Sequence, residues 1–183
     1  MKNRYIFIIV LLVFSLGTLS AKSEKPDAIY HLISKSYRIN QDGSMDYHFR
    51  KELQVLSNHA FTSTYGETFI LYNTDFQTLK VNEAYVIRKD GSKVETPANA
   101  FNPSLPFSCT DCERLNSMRE MVVTHTALEY DATIVLDYTI HSTQPFMKEL
   151  MEEVNLYEDA PIDKYEITVT VPEFMKLNYQ CNY

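Results

Sequence analysis

The stretch Thr133–Ile140, which reads TIVLDYTI, decides the fold class of this chain. Its apolar side chains fall at every second position, at Ile134, Leu136, Tyr138 and Ile140. Because side chains alternate between the two faces of a β-strand, this period of two predicts a strand with one apolar face and one more polar face. The segment Tyr165–Val171 repeats the pattern and ends at Pro172.

Asp-Gly turns mark two hairpins. The first joins Tyr37–Ile39 to the alternating segment Met45–Phe49, and the second joins Ala84–Ile87 to Lys93–Glu95. Their turns are Asn40–Gly43 and Asp90–Gly91. Asp-Gly suits a hairpin because glycine accepts the positive φ that tight turns between strands require.

A third hairpin is predicted between Met121–His125 and Thr133–Ile140, with its turn at Glu129–Ala132. In one register His125 faces the core opposite Leu136, and a shift of one residue would move it to the other face. Several strands with turns between them predict a mainly β fold, a two-sheet antiparallel β-sandwich.

Two segments between the strands have other patterns. One short helix is expected over Phe146–Leu156, where Leu150, Met151 and Val154 lie near helical spacing. The segment Pro97–Pro106 carries three prolines and is predicted to be a loop.

The first 21 residues have the three parts of a secretory signal peptide. Lys2 and Arg4 form a basic start, Tyr5–Phe14 is an apolar run, and mostly small residues follow up to Ala21. A transmembrane helix needs about 20 apolar residues, so this run is short for a permanent anchor. We expect cleavage after Ala21, with Ser20 as the alternative site and an uncleaved anchor as the alternative outcome. The mature protein is then exported to the periplasm or the extracellular space.

The rest of the chain, residues 22–183, has the length of one domain and no internal repeat or linker. The formal net charge is −7, and loss of the basic signal would make the protein more acidic. A nucleic-acid-binding protein needs a basic face for the phosphates, so nucleic acid is not an expected partner. No second hydrophobic span follows the signal, and no membrane span is expected after cleavage.

Three segments carry a resemblance to a known family. They are Tyr65–Ile70 with Tyr72 and Asn73, Asn82–Tyr85 with Asp90, Gly91 and Pro97–Asn102, and Arg119–Thr126 with Leu128, Glu129 and Leu136–Tyr138. Over residues 28–172 the chain resembles a bacterial family of exported domains of unknown function that lie N-terminal to transglutaminase-like (papain-type) domains. The resemblance implies a β-sandwich accessory module without assigned chemistry of its own.

The resemblance also implies what to expect of activity. The family's Cys-His-Asp machinery lies in the transglutaminase-like domain, which we expect to be absent from this chain. We therefore expect a non-catalytic accessory or interaction domain, not an enzyme, with no catalytic residues and no cofactor. Its expected partner is a transglutaminase-like domain or another protein. Because Asn178–Tyr183 reads like the start of another strand, a truncated form of a longer protein and a natural short domain both stay open.

Cys109 and Cys112 are the sharpest local feature, and the family pattern does not include them. In an exported protein a close pair most often forms a disulfide, which we predict here. Reduced thiols, a metal site and redox catalysis are the alternatives. A zinc site needs about four ligands and only one Cys pair is present, so no metal is expected. Cys181 leaves an odd count, and its state stays open.

No other residues specify a catalytic set. The five histidines, His31, His48, His59, His125 and His141, lack the sequence context of a catalytic base. A lone histidine on an apolar strand, as at position 125, is more often structural than a ligand. The acidic residues Glu149, Glu152, Glu153, Glu158 and Asp159 fit a solvated helix face better than the paired carboxylates of a glycosidase.

The alternative function is a periplasmic glycan- or peptide-binding protein. The chain has 13 Tyr, 10 Phe and no Trp, and most of these rings are expected to fill the core. Tyr65, Phe69 and Tyr72 are the candidates for an exposed binding surface. A third, enzymatic hypothesis uses Cys109 or Cys112 as a nucleophile.

Overall fold

The computed structural model describes residues 25–143 and 152–180. Nine strands form the framework of this part of the chain. They are β1 (Ala28–Ile39), β2 (Met45–Val55), β3 (Glu67–Asn73), β4 (Gln77–Ile87), β5 (Lys93–Glu95), β6 (Phe101–Ser104), β7 (Met118–Thr124), β8 (Thr133–Ser142) and β9 (Tyr165–Thr170). Four short helical turns lie between them: a π-helix at Ala60–Thr64 and 3₁₀ turns at Ala98–Ala100, Phe107–Cys109 and Glu113–Leu115.

The strands form two sheets. The larger has the order β5-β4-β8-β2-β1-β9, and the smaller has the order β3-β7-β6. The predicted fold class, a mainly β two-sheet sandwich, is confirmed. Every pairing between the strands is antiparallel except that of β1 with β9, which is parallel.

Both Asp-Gly hairpins are confirmed. β1 pairs with β2 so that Ile39 lies opposite Met45, and β4 pairs with β5. Gly43 and Gly91 have φ angles of +84° and +83° in the two turns. A side chain at either position would strain the backbone, because L-residues rarely adopt this region.

The third hairpin is wrong, because β7 and β8 lie in different sheets. β7 pairs with β3 and β6, whereas β8 pairs with β2 and β4. The connection passes through Ala127 and Asp131, whose φ angles are +60° and +74°, and carries the chain across the sandwich. His125 therefore has no ladder partner in Leu136, and its backbone N–H donates to the carbonyl of Gly66 over 2.8 Å. Local alternation is the same for strands joined within a sheet and for strands joined across two sheets.

The expected helix over Phe146–Leu156 falls partly on residues 144–151, which lie outside the described residues. Residues 152–156 have no helical structure. The segment Pro97–Pro106, predicted to be a loop, contains strand β6. Pro103 lies in this strand, which is at the edge of its sheet, where a missing N–H is tolerated.

The two sheets enclose two clusters of buried apolar side chains. The first is Ala28, Tyr30, Ile33, Leu53, Val55, Ala60, Tyr65, Val86, Ala132 and Ile134. The second is Ile70, Ala84, Val123, Leu136 and Ile140. Strand β8 supplies residues to both, so the apolar face predicted for Thr133–Ile140 is the centre of the core. The larger sheet has six strands and the smaller has three, which leaves part of the larger sheet's inner face uncovered by the smaller one.

Candidate functional site

A chain of three polar side chains crosses the core. Lys51 on β2 donates from Nζ to Thr68 Oγ1 on β3 over 2.7 Å, and Thr68 Oγ1 lies 2.8 Å from Nε2 of His125. Lys51 and His125 are both buried. Because Lys51 donates to the Thr68 oxygen, the Thr68 hydroxyl proton is free to be donated to His125 Nε2. These three residues, called here the buried polar chain, tie the larger sheet to the smaller one.

Sequence reasoning missed Lys51 and Thr68, although a signal for Lys51 was present. Tyr47, Phe49, Leu53 and Val55 alternate along β2, and Lys51 occupies the same phase. It pairs with Leu136 of β8, whose side chain is in the core. A lysine in the apolar phase of a strand therefore enters the sandwich and needs a hydrogen-bond acceptor there.

Burial shifts both ionisable ends of the buried polar chain. It lowers the pKa of Lys51 to about 8, against the opposing effect of the Glu158 and Asp159 charges. It also lowers the pKa of His125 to about 3, and the nearby charge of Lys51 acts in the same direction. The Nδ1 atom of His125 is buried and has no hydrogen-bond partner among the described residues. At neutral pH the histidine is uncharged and the lysine carries the charge.

The buried polar chain has a structural role. The protonated Lys51 donates to Thr68 and cannot take its proton, and His125, which accepts from the Thr68 hydroxyl, is a weak base because burial lowers its pKa to about 3. The three residues also lie between the sheets instead of lining the surface groove described below. The interpretation of His125 as a core residue agrees with this position.

The outer face of the larger sheet carries a polar network centred on Asp137. Its Oδ1 accepts from His48 Nε2 over 2.7 Å and from Asn82 Nδ2 over 2.9 Å, and its Oδ2 lies 3.4 Å from the Arg50 guanidinium. The Asp137 side chain is only 11% exposed. A carboxylate this buried depends on these donors for its stability.

Arg50 is fully engaged by carboxylates. It donates to Glu83 over 2.8 Å and to Glu52 over 2.9 Å, in addition to its contact with Asp137. These hydrogen bonds, that to Glu83 above all, raise the pKa of Arg50. No guanidinium fork is left to bind an incoming anion, so this network stabilises the sheet and is not an anion site.

The remaining histidines lie at the surface. His31 Nδ1 contacts Asp163 Oδ2 over 2.7 Å, and His141 Nδ1 contacts Asp46 Oδ1 over 2.6 Å. His59 is exposed at the start of the π-helix. Within residues 25–143 and 152–180, no group of three or more His, Cys, Asp or Glu side chains is placed to hold a metal ion.

Cys109 and Cys112 lie in the loop between β6 and β7. Cys109 is buried and Cys112 is exposed, and both are free thiols in the structure. The backbone N–H of Cys112 donates to the carbonyl of Cys109 over 3.2 Å, so the two residues bracket one tight turn. Ser108 Oγ lies 3.9 Å from the Cys109 sulfur. The disulfide stays a prediction, and Cys181 lies outside the described residues.

The acidic residues near the C-terminal side do not form a solvated helix face where they are described. Glu152 accepts a hydrogen bond from the Tyr37 hydroxyl over 3.0 Å. The charges of Glu158 and Asp159 raise the pKa of Tyr30, after the larger effect of burial. Glu153 is exposed, and Glu149 lies outside the described residues.

The three aromatic candidates do not share a surface. Tyr65 is buried in the first cluster, with its ring edge-on to Tyr30 at 6.2 Å. Phe69 is 56% exposed, and Tyr72 is half-buried against the second cluster. A stacking platform for a glycan needs several exposed rings together, and these residues do not provide one.

A groove of about 570 Å³ lies where β4 of the larger sheet faces β6 and β7 of the smaller one. Its apolar lining is Leu79, Val81, Ala84, Phe101 and Met121, and its polar lining is Asn82, Glu83, Lys93, Glu95 and Thr96. The hydroxyl of Thr96 is buried and has no hydrogen-bond partner among the described residues. This is called the β4 groove below.

A second surface lies at the opposite edge of the larger sheet. In the parallel pairing, Tyr165 and Ile167 lie beside Ile33 and Lys35 of β1. Ile33 is in the core, so the Tyr165 and Ile167 side chains belong to the inner face. Ile167 is nevertheless 43% exposed. The apolar face predicted for Tyr165–Val171 is thus present but only partly covered.

Flanking segments add further exposed apolar residues near β9. They are Leu156 and Tyr157 before the strand and Phe174, Leu177 and Tyr179 after it. The Tyr165 hydroxyl donates to the carbonyl of Asn155 over 3.3 Å, which brings the segment before the strand against β9. These residues, with Tyr165, Ile167 and Val169, are called the β9 face. Several exposed apolar side chains on one strand and its flanking segments are a feature of interaction sites.

Comparison with known proteins identifies the family. Residues 41–182 match the family described as "Domain of Unknown Function with solved-structure structure (DUF3857)". The chain belongs to this DUF3857 family. No curated protein matches it.

A solved structure is similar to this DUF3857 chain over most of its length. It is the crystal structure, at 2.00 Å resolution, of a protein from Parabacteroides distasonis ATCC 8503 described as a "putative protease". The two chains are 42% identical, with a TM-score of 0.79 over 80% of this chain. The match covers 29% of the Parabacteroides chain, so this chain spans less than a third of that protein's length. No helix within the described residues is long and apolar enough to cross a membrane.

Proposed function

We propose that this chain is a non-catalytic accessory domain that packs its β9 face against the catalytic part of an exported protease-like protein. The observation that carries the proposal is the β9 face itself. Ile167 lies on the inner side of the larger sheet in a strand whose alternation is that of a buried face, yet it is 43% exposed. Burying an exposed Ile or Phe side chain contributes about 1.5–3 kcal/mol, so covering several of them supports stable docking.

The similar Parabacteroides protein supports the kind of partner. More than two thirds of its chain lies outside the match, and it is that whole protein which is described as a protease. The resemblance to domains that precede transglutaminase-like, papain-type domains agrees with such an arrangement. We therefore assign the chemistry to the part outside the match and the supporting role to this domain.

The cysteines support the non-catalytic assignment. A papain-type nucleophile needs a histidine within hydrogen-bond reach, and among the described residues no hydrogen bond joins Cys109 or Cys112 to a histidine. The buried polar chain lies between the sheets, and burial lowers the pKa of His125 to about 3, which makes this histidine a poor base for activating Thr68. The predicted export signal at residues 1–21 supports a location outside the cytoplasm for this domain. Mass spectrometry of the protein would detect an intact Met1 if the signal were retained.

Docking in trans tests the proposal. The part of the Parabacteroides protein beyond the match is purified and titrated with this chain by calorimetry. Phe174 is 71% exposed on the β9 face, and Phe107 is 93% exposed in the loop that follows β6. We expect Phe174→Ser to weaken binding about 10-fold or more, and Phe107→Ser, the matched control, to leave it unchanged.

Three results would overturn the proposal. Equal effects of the two Phe→Ser changes on binding would contradict docking through the β9 face. Absence of any association in trans would contradict the docking role itself. Peptidase activity of the chain alone, lost on Cys112→Ser, would instead support the enzymatic hypothesis.

The alternative function of peptide binding is favoured by a different surface, the β4 groove, whereas the separation of Tyr65, Phe69 and Tyr72 gives no support to a glycan platform.

A further inference from the structure

Strand β4 has an open edge beside the β4 groove. Strand β5 pairs only with Tyr85–Ile87 of β4, and the backbone N–H of Thr96 then donates to the carbonyl of Ala84 over 3.0 Å. Beyond Thr96 the chain leaves the larger sheet and continues into β6 of the smaller one. Among the described strands, none pairs with Gln77–Val81 on this side. Every second residue of an edge strand directs its N–H and C=O outward, so this part of β4 offers unused backbone donors and acceptors.

Side chains of both sheets line the groove beside this edge. Leu79 and Val81 point to the inner side, where Phe101 and Met121 of the smaller sheet form the opposite wall. The unpaired, buried hydroxyl of Thr96 lies at the end of the open edge. A buried hydroxyl without a partner is unfavourable, and a ligand that hydrogen-bonds to it removes this cost.

The rim of the groove carries more negative than positive charge. Glu83 and Glu95 contribute carboxylates, and Lys93 contributes the one ammonium among the lining residues. Lys93 is already bound to Glu95 over 2.7 Å and lies 3.7 Å from the centre of the Tyr85 ring. Glu83 accepts from Arg50, which approaches from the outer face. The charge of the groove lining is complementary to one basic side chain.

We propose that the β4 groove binds an extended polypeptide segment, which adds to β4 as a further strand. Its backbone pairs with Gln77–Val81, its apolar side chains enter between Leu79 and Met121, and a lysine or arginine reaches the rim carboxylates. Strand addition at an exposed edge is a general mode of peptide recognition, in which the main chain gives affinity and pockets for alternate side chains give specificity. The occupant is thus defined by its extended backbone and by an alternating apolar and basic sequence.

A β-bulge limits the length of the site. The pairing of β4 with β8 shifts register between Val81 and Glu83, and the extra residue Asn82 turns its side chain to Asp137 and Thr139 on the outer face. Bulges disrupt regular pairing along an edge, so an added strand would run over about five residues and then stop. Such a short site predicts weak binding. This inference does not depend on the β9 face, which lies at the other edge of the six-stranded sheet.

The test uses a synthetic probe, acetyl-Thr-Val-Lys-Val-Thr-amide, titrated into the ¹⁵N-labelled chain and followed by NMR. We expect fast-exchange shifts centred on residues 77–84 and 96. A peptide with N-methyl groups at both valines keeps the side chains but cannot form the ladder, and it should bind at least 10-fold more weakly. A peptide with Glu in place of Lys should also bind more weakly, and the difference should shrink at high salt.

The variant Thr96→Val separates ligand binding from folding. It keeps the side-chain shape and removes the unpaired hydroxyl, so the free protein should be at least as stable as the wild type. If the hydroxyl serves the ligand, the same variant binds the probe several-fold more weakly. Equal affinity of the N-methylated peptide would overturn the proposal, as would shifts located away from β4 or no shifts at millimolar probe. The Phe174→Ser variant serves as a control and should bind the probe like the wild type.

Discussion

The charge of Lys51 is predicted to destabilise the folded protein at neutral pH. Burial lowers the pKa of Lys51 to about 8 from its ordinary value of 10.5. The difference of about 2.5 units corresponds to about 3 kcal/mol between the two protonation states. Below pH 8 the lysine is protonated in both the folded and the unfolded chain, and the folded state bears the whole penalty. Above pH 8 the folded state releases the proton first, so this contribution to stability rises with pH until the unfolded lysine also titrates.

The predicted pH effect can be measured in a narrow window. Between pH 7 and pH 9, linkage gives a gain of about 1.4 kcal/mol in the free energy of unfolding from Lys51 alone. Buried tyrosines oppose this gain at higher pH, because burial raises the pKa of each, as for Tyr138 to about 12. The unfolded tyrosines ionise near pH 10, so their combined effect at pH 9 is only about 0.3 kcal/mol in the opposite direction. The wild type should therefore be about 1 kcal/mol more stable at pH 9 than at pH 7.

The assay is urea unfolding followed by far-UV circular dichroism at both pH values. Lys51→Met removes the charge and keeps an unbranched side chain in the core, so its stability should not increase between pH 7 and pH 9. At pH 7 this variant should be as stable as the wild type or more stable, because apolar replacement of a buried charge is often stabilising. Lys80→Met, on an exposed side chain of β4, is the matched control and should keep the wild-type pH dependence. The reasoning is refuted if Lys51→Met retains the gain, or if it loses several kcal/mol at pH 7.

His125, the Asp137 network and the Cys109–Cys112 pair each have a measurable consequence for stability or thiol content. His125, whose pKa burial lowers to about 3, stays neutral in the folded protein while the unfolded histidine binds a proton near pH 6.5. Its contribution to stability should therefore fall by about 2 kcal/mol between pH 7 and pH 5, and His125→Gln should abolish that part of the acid sensitivity in urea unfolding. Asp137→Asn should lower the free energy of unfolding by about 1–3 kcal/mol, because it weakens the hydrogen bonds from His48 and Arg50. Asp46→Asn, at the more exposed pair with His141, should lower it by less than about 1 kcal/mol. Equal losses of stability in thermal unfolding would contradict this difference. If Cys109 and Cys112 form the predicted disulfide, thiol titration of the denatured, oxidised protein should find one free thiol of the three, and three free thiols would exclude it.

The fold class could be predicted from the sequence because period-two alternation and Asp-Gly turns are local signals. Strand β8 and the hairpins at Gly43 and Gly91 were found this way. The placement of β7 could not be predicted, because its alternation does not depend on the sheet in which it lies. The parallel pairing of β9 with β1 also has no local signal, since the two strands are separated by more than a hundred residues.

The candidate surfaces were harder to predict, because each depends on where two distant segments meet. The β4 groove forms because β5 ends at Glu95 and because the chain then places Phe101 of β6 opposite β4. No sequence motif predicts either feature. The Cys109–Cys112 pair attracted attention as a motif, yet neither cysteine lines the β4 groove or belongs to the β9 face. Tyr65 was a surface candidate by composition, but its ring packs on Tyr30 and closes the first cluster.

The mismatch between pattern and burial is therefore more informative about function here than any motif. Leu136 is an apolar residue on the inner face, and its buried side chain contributes to the core. Lys51 is a polar residue on the same face, and its buried ammonium donates a hydrogen bond to Thr68. Ile167 differs from both, because its strand has the alternation of a buried face and no described element covers its side chain fully. The larger sheet has three more strands than the smaller sheet, so its β9 edge extends beyond the pairing that builds the sandwich. An apolar strand kept at such an edge is a liability for a protein that acts alone, and it becomes useful once a second domain packs against it.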